Sequence, residues 1–121
     1  MGKKILVVDD DSVLLLILSR RLSQAGHQVL TALDGDQAVR QATREKPNLI
    51  LLDMRLPAGG GMGVLKALKN STRTMQIPVI AMTASEDLSL RREVEPYGLD
   101  GFLIKPLDID GLLKKIEELA P

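Results

Sequence analysis

The chain has 121 residues, with 16 Lys+Arg balanced by 16 Asp+Glu, one His, no Cys, and only two aromatic residues, Tyr97 and Phe102. This length predicts one folded unit that buries about two thirds of the surface its unfolded chain exposes. The missing cysteines exclude a disulfide-stapled or Cys-ligated zinc module, and zero net charge removes the electrostatic reason to expect nucleic acid or a membrane surface as a direct partner. No stretch reaches the ~20 apolar residues of a bilayer span. Lys3, Lys4 and the apolar residues Ile5 to Val8 begin like a signal peptide, but Asp9, Asp10 and Asp11 cut the apolar run short. A soluble, cytoplasmic domain is the expectation.

Five short apolar runs recur along the chain, at 4–8, 28–32, 48–52, 77–82 and 101–104, each followed by a segment with helical spacing. Runs one, three, four and five are almost wholly aliphatic, as parallel strands covered on both faces require. Run two, Gln28-Val29-Leu30-Thr31-Ala32, is mixed and suits a sheet edge. The first helix is capped by Asp11 or Ser12 and ends before Gly26. Its apolar stretch from Val13 to Leu18 predicts a core stripe of Leu14, Ile17, Leu18 and Leu22, with Leu16 pointing away. The second helix is expected at 34–46, stopping before Pro47, and the third at 61–70. The glycines Gly59, Gly60 and Gly61 before it read as a flexible turn, since no Lys-Ser/Thr follows to make a phosphate loop. The fourth helix is capped near Ser85 and should be shortened or kinked by Pro96. The last spans 109–119 behind Asp108. Regular strand-then-helix alternation predicts an α/β domain with right-handed crossovers.

Polar residues collect where the apolar runs end. Asp9 and Asp10 follow the first run, Asp53 the third, Thr83 the fourth and Lys105 the fifth. In a parallel sheet all strand carboxyl ends share one rim. For a strand order of 2-1-3-4-5 the switch point lies between strands one and three, where Asp9, Asp10 and Asp53 converge. A pair of carboxylates at ~4 Å repels by about 4 kcal/mol at an effective dielectric near 20, so compensation is needed. Lys105 supplies one positive charge, and an all-oxygen donor set suits Mg²⁺. An Asp carboxylate can also act as a nucleophile toward phosphorus. Asp11 reads as a cap only, and His27, on the far side of the sheet, as an ordinary surface residue.

Four segments, Ile5-Leu6-Val7-Val8-Asp9-Asp10, Leu51-Leu52-Asp53-Met54-Arg55-Leu56-Pro57, Val79-Ile80-Ala81-Met82-Thr83-Ala84 and Gly101-Phe102-Leu103-Ile104-Lys105-Pro106, resemble in order and spacing the receiver domain of two-component response regulators. The resemblance covers essentially the whole chain. It implies a flavodoxin-like (βα)5 three-layer sandwich with sheet order 2-1-3-4-5, a receiver domain over residues 1–121, and a signalling switch rather than an enzyme, though one that promotes its own phosphotransfer and dephosphorylation. It makes Asp53 the phospho-acceptor. Asp10 and Asp53 would bind Mg²⁺ directly, Asp9 largely through water, and the Arg55 backbone carbonyl would complete the set. Thr83 and Lys105 would hold phosphoryl oxygens, Thr83 and Phe102 would form the switch, and Lys105-Pro106 would be cis. Arg55 and Ser85 would flank the phosphoryl group and tune its lifetime. The implied partners are a sensor histidine kinase or His-containing phosphotransfer protein, and a downstream output domain or protein.

Two other classes compete. Residues 5–13 also fit the start of a haloacid-dehalogenase-type phosphohydrolase, which would make Asp9 the nucleophile and Asp11 the acid/base but leave Asp53 without a role. A flavin or dinucleotide module is disfavoured because no glycine-rich turn follows the first run.

Overall fold

The computed structural model describes residues 2–56, 60–84 and 88–119. Five strands, β1 (Lys4–Val8), β2 (Gln28–Ala32), β3 (Leu49–Asp53), β4 (Val79–Thr83) and β5 (Gly101–Ile104), alternate with five helices, α1 (Ser12–Gln24), α2 (Gly35–Glu45), α3 (Gly60–Lys69), α4 (Leu88–Val94) and α5 (Ile109–Leu119). The strands form one parallel sheet of order β2-β1-β3-β4-β5. The chain therefore reverses its direction of winding between β1 and β3. Every residue of β3 and β4 is buried, whereas β2 and β5 are partly exposed edges.

Side chains that alternate along the central strands feed two separate cores. Leu6, Val8, Ile50, Leu52, Val79 and Ala81 pack toward α2, α3 and α4, joined by Ala38, Ala42, Val64, Leu65, Leu68 and Val94. Ile5, Val7, Leu49, Leu51, Ile80 and Met82 pack on the opposite face with Leu15, Leu18, Leu22, Leu112 and Ile116 of α1 and α5. This is the three-layer sandwich that the sequence implies. Caps follow the chemistry of each helix end. Asp11 accepts the N–H groups of Val13 and Leu14, and Asp34 accepts that of Gln37. Lys46 closes α2 in a left-handed conformation just before Pro47.

Several expectations need correction. Asp53 and Thr83 do not follow β3 and β4 but are their last residues. The backbone bonds from Met54 N–H to the Met82 carbonyl (2.9 Å) and from Lys105 N–H to the Thr83 carbonyl (2.6 Å) carry the ladder that far. At the other ends, Asn48 and Ile77 fall outside the strands; Asn48 instead ties its backbone N–H to the Lys4 carbonyl and its Oδ1 to the Lys4 N–H. On α1, Ile17 is exposed rather than core, and Leu15 takes its place beside Leu18 and Leu22, with Leu14 only half-buried. The glycine segment is also less free than expected. Gly60 and Gly61 already belong to α3, and a Cβ on Gly61 would lie 2.5 Å from the Met54 Cα and 2.7 Å from the Asp53 carbonyl oxygen. Only a glycine allows the first turn of α3 so close to the end of β3. As expected from Pro96, α4 ends at Val94, after which a 3₁₀ turn covers Glu95–Tyr97. Ser85 and Gly59 lie outside the described residues.

The rotational setting of α1 is testable by truncation. Leu15→Ala should cost about 2–4 kcal/mol of unfolding free energy, as large-to-small changes in a packed core do, while Ile17→Ala should cost under about 1 kcal/mol. Urea denaturation of both variants checks the order; the reverse order would place the Ile17 side in the core.

Candidate functional site

The carboxyl ends of β1, β3, β4 and β5 bring Asp9, Asp10, Asp53, Thr83 and Lys105 to one rim of the sheet. Asp9 is fully buried, and Asp53 and Thr83 retain only 4% and 2% of their exposure; Asp10 is exposed. Carboxylate oxygens of Asp9, Asp10 and Asp53 lie within 4.8 Å of one another. The Lys105 ammonium stands between the two buried ones, 2.7 Å from Asp9 Oδ2 and 3.4 Å from Asp53 Oδ2. Backbone groups hold the remaining oxygens. Asp9 Oδ1 accepts the Asp11 N–H at 2.9 Å, and Asp53 Oδ1 accepts the Arg55 N–H at 3.0 Å. Each carboxylate thus has one oxygen fixed by the chain that follows it and the other aimed at the lysine.

Electrostatics follow from this crowding. Burial pushes the Asp53 carboxyl above its ordinary value of 3.8, and the Asp9 charge adds to the rise; the Arg55 N–H and Lys105 oppose it without reversing it. For Lys105, burial acts to lower the pKa, but the hydrogen bond and charge of Asp9, aided by Asp53, outweigh it, so the ammonium is held charged. Three carboxylates against one ammonium leave an excess of two negative charges, which a divalent cation would cancel. Hard oxygen donors at this spacing suit Mg²⁺ better than a soft metal.

The other predicted residues fall around this centre. Arg55 is exposed, with its backbone adjoining Asp53. The Lys105-Pro106 peptide bond is cis. Phe102 pairs with Ala81 across β4 and β5, and Thr83 pairs with Ile104, so by strand alternation Thr83 and Phe102 share the α4 face. The Phe102 ring is half-buried, and the Arg91 guanidinium lies 4.8 Å from its centroid. His27 is at the opposite edge of the sheet, half-buried, with Nδ1 accepting the Lys3 N–H at 3.0 Å. Two contributors escaped the sequence reading. Gly61, which packs against the Asp53 carbonyl, was signalled only by a glycine run; Arg91, beside Phe102, had no local signal because α4 carries two consecutive arginines.

Comparison with known proteins agrees with this geometry. The family model described as the response regulator receiver domain matches residues 5–117. The sporulation initiation phosphotransferase F of Bacillus subtilis is 34% identical, the alignment covering all of this chain and 96% of that protein. The alkaline phosphatase synthesis transcriptional regulatory protein PhoP of the same organism is also 34% identical, but this chain spans only 52% of its length. Among solved structures, the chemotaxis response regulator CheY4 of Vibrio cholerae superposes with a TM-score of 0.90 at 28% identity, over 98% of this chain and 99% of that one. Fold and rim together define a parallel α/β domain with an acidic crevice at its switch point. The chain belongs to the response regulator receiver domain family of two-component signalling systems. The phosphohydrolase alternative is not favoured, and the Asp11 carboxylate, its required acid/base, is exposed and engaged in capping α1.

The raised Asp53 pKa has a consequence for stability. A carboxyl that holds its proton more tightly when folded makes the protein lose stability as pH rises from 3.8 through the folded pKa. In a chelator, Asp53→Asn should therefore unfold at higher urea concentration than wild type at pH 7, and the advantage should disappear below pH 3.8. A variant less stable than wild type at pH 7 would contradict this assignment.

Proposed function

We propose that this chain is a phosphorylation-dependent switch in which Asp53 accepts a phosphoryl group from the phosphohistidine of a sensor kinase or phosphotransfer protein. The observation that carries this reading is the convergence of Asp9, Asp10 and Asp53 around Lys105 on one sheet rim. An Asp53 oxygen attacks phosphorus in line as the bond to the imidazole nitrogen breaks, giving an aspartyl phosphate. Arg55 N–H orients the carboxylate from behind. Lys105 turns from the carboxylates toward a phosphoryl oxygen, and the Thr83 hydroxyl binds another. Asp9, Asp10, Asp53 and the Arg55 carbonyl would hold Mg²⁺, whose contribution is to neutralise charge on the phosphoryl oxygens. Hydrolysis of the aspartyl phosphate resets the switch, with the Arg55 side chain affecting how fast water enters.

Phosphorylation adds almost two negative charges, draws Thr83 toward them and changes the packing of Phe102, and hence the surface offered to an output domain or protein. The balanced charge of the chain favours a protein partner over direct contact with nucleic acid. For the donor, the exposed apolar residues Val13, Leu16 and Ile17 of α1 form a docking face beside the acidic rim. No described helix is long and apolar enough to cross a membrane, and the reading places the domain in the cytoplasm with its kinase.

Labelling with radioactive acetyl phosphate tests the acceptor. Wild type should incorporate label only with Mg²⁺, and Asp53→Asn should lose at least ~99% of it; label retained at Asp9 would overturn the reading. With a phosphohistidine protein as donor, Leu16→Glu should slow transfer about tenfold or more while leaving acetyl phosphate labelling unchanged. Equal effects on both donors would contradict the docking face.

A further inference from the structure

The single phenylalanine of the chain sits on an edge strand with its ring against the guanidinium of Arg91, 4.8 Å from centroid to Cζ. The ring borders a surface cavity on one side and packs against the α4-face core on the other. Outward, Phe102 lines a surface cavity of about 390 Å³ together with Arg91, Val94, Glu95, Leu99 and Asp100. Inward along the α4 face, its β4 neighbour is Ala81, the smallest side chain on that strand, and beyond Ala81 lies Thr83 at the site rim. A small alanine partner fixes the ring less firmly than a large side chain would, so its position also depends on what touches it from outside. Arg91, on the last turn of α4 before Pro96, makes that outer contact through its guanidinium.

We infer that Arg91 is a positioning residue of the switch, stacking on Phe102 to hold its ring in the outer position until the site is phosphorylated. An exposed cation–π contact biases such an equilibrium by a factor of roughly two to five. This is enough to suppress spontaneous switching yet small enough for phosphorylation to overcome. The regulatory half of the inference rests on the function proposed above; the stacking and its effect on the ring do not.

Because Phe102 is the only phenylalanine, biosynthetic 4-fluorophenylalanine gives one ¹⁹F resonance that reports this ring alone. In the metal-free wild type the fluorine should show a large H₂O/D₂O isotope shift, and Mg²⁺ with beryllium fluoride as phosphoryl mimic should reduce it. Without either addition, Arg91→Gln should raise the ratio of inward to outward ring positions two- to fivefold, shrinking the isotope shift and moving the resonance toward the beryllium fluoride position. Arg91→Lys, which keeps the charge, should restore part of the wild-type value. An arginine that merely covers the ring predicts the opposite: its removal would enlarge the isotope shift. An enlarged or unchanged shift in Arg91→Gln overturns the inference. Failure of the wild type to respond to beryllium fluoride, together with absent Asp53 labelling, would instead reject the proposed function, and the Arg91→Gln spectrum would still decide whether the stack holds the ring.

Discussion

Everything at the rim depends on holding two carboxylates, Asp9 and Asp53, in a buried crevice with one ammonium between them. At separations near 4 Å each like-charge pair costs about 4 kcal/mol at an effective dielectric of 20, and each opposite-charge pair returns a similar amount. Lys105 therefore offsets the mutual repulsion of the buried pair and leaves the exposed Asp10 largely uncompensated. The fold makes this arrangement possible because β1 and β3 are adjacent although α1, β2 and α2 separate them in sequence. Their winding reversal opens the crevice between two strand ends, and β5, at the sheet's far edge, delivers a lysine long enough to reach into it.

The same crevice links chemistry to shape. Backbone N–H groups two residues downstream fix one oxygen of Asp9 and one of Asp53, so the variable part of the site is the set of oxygens facing Lys105. Close contact of α3 with the Asp53 carbonyl, allowed only by Gly61, packs the first turn of α3 against the end of β3. Thr83 and Phe102, by contrast, stand on the α4 face beside a partly exposed edge strand.

Much of this was legible in the sequence because strand runs and site residues coincide. Four apolar runs ending at Asp, Thr or Lys and a mixed run for β2 located the five strands, and the parallel order placed those polar residues on one edge. What could not be read was governed by tertiary packing. Six consecutive apolar residues in α1 allow more than one buried stripe, and docking against β1, β2 and α5 selects Leu15 over Ile17. Three glycines in a row indicate backbone freedom, but only the fold reveals that Gly61 is used for close approach. The ladder extends through Asp53 and Thr83 because their neighbours supply hydrogen bonds, which no local pattern encodes.

Lys105 occupies the crevice as its counter-charge, one that any divalent cation bound there would have to share. Isothermal titration of Mg²⁺ into wild type and Lys105→Met, with folding of both checked by circular dichroism, tests it directly. Removing the ammonium leaves the three carboxylates with their full charge, so Lys105→Met should bind Mg²⁺ about tenfold more tightly or better. Equal or weaker binding by the variant would contradict the claim that Lys105 balances the charge of this site.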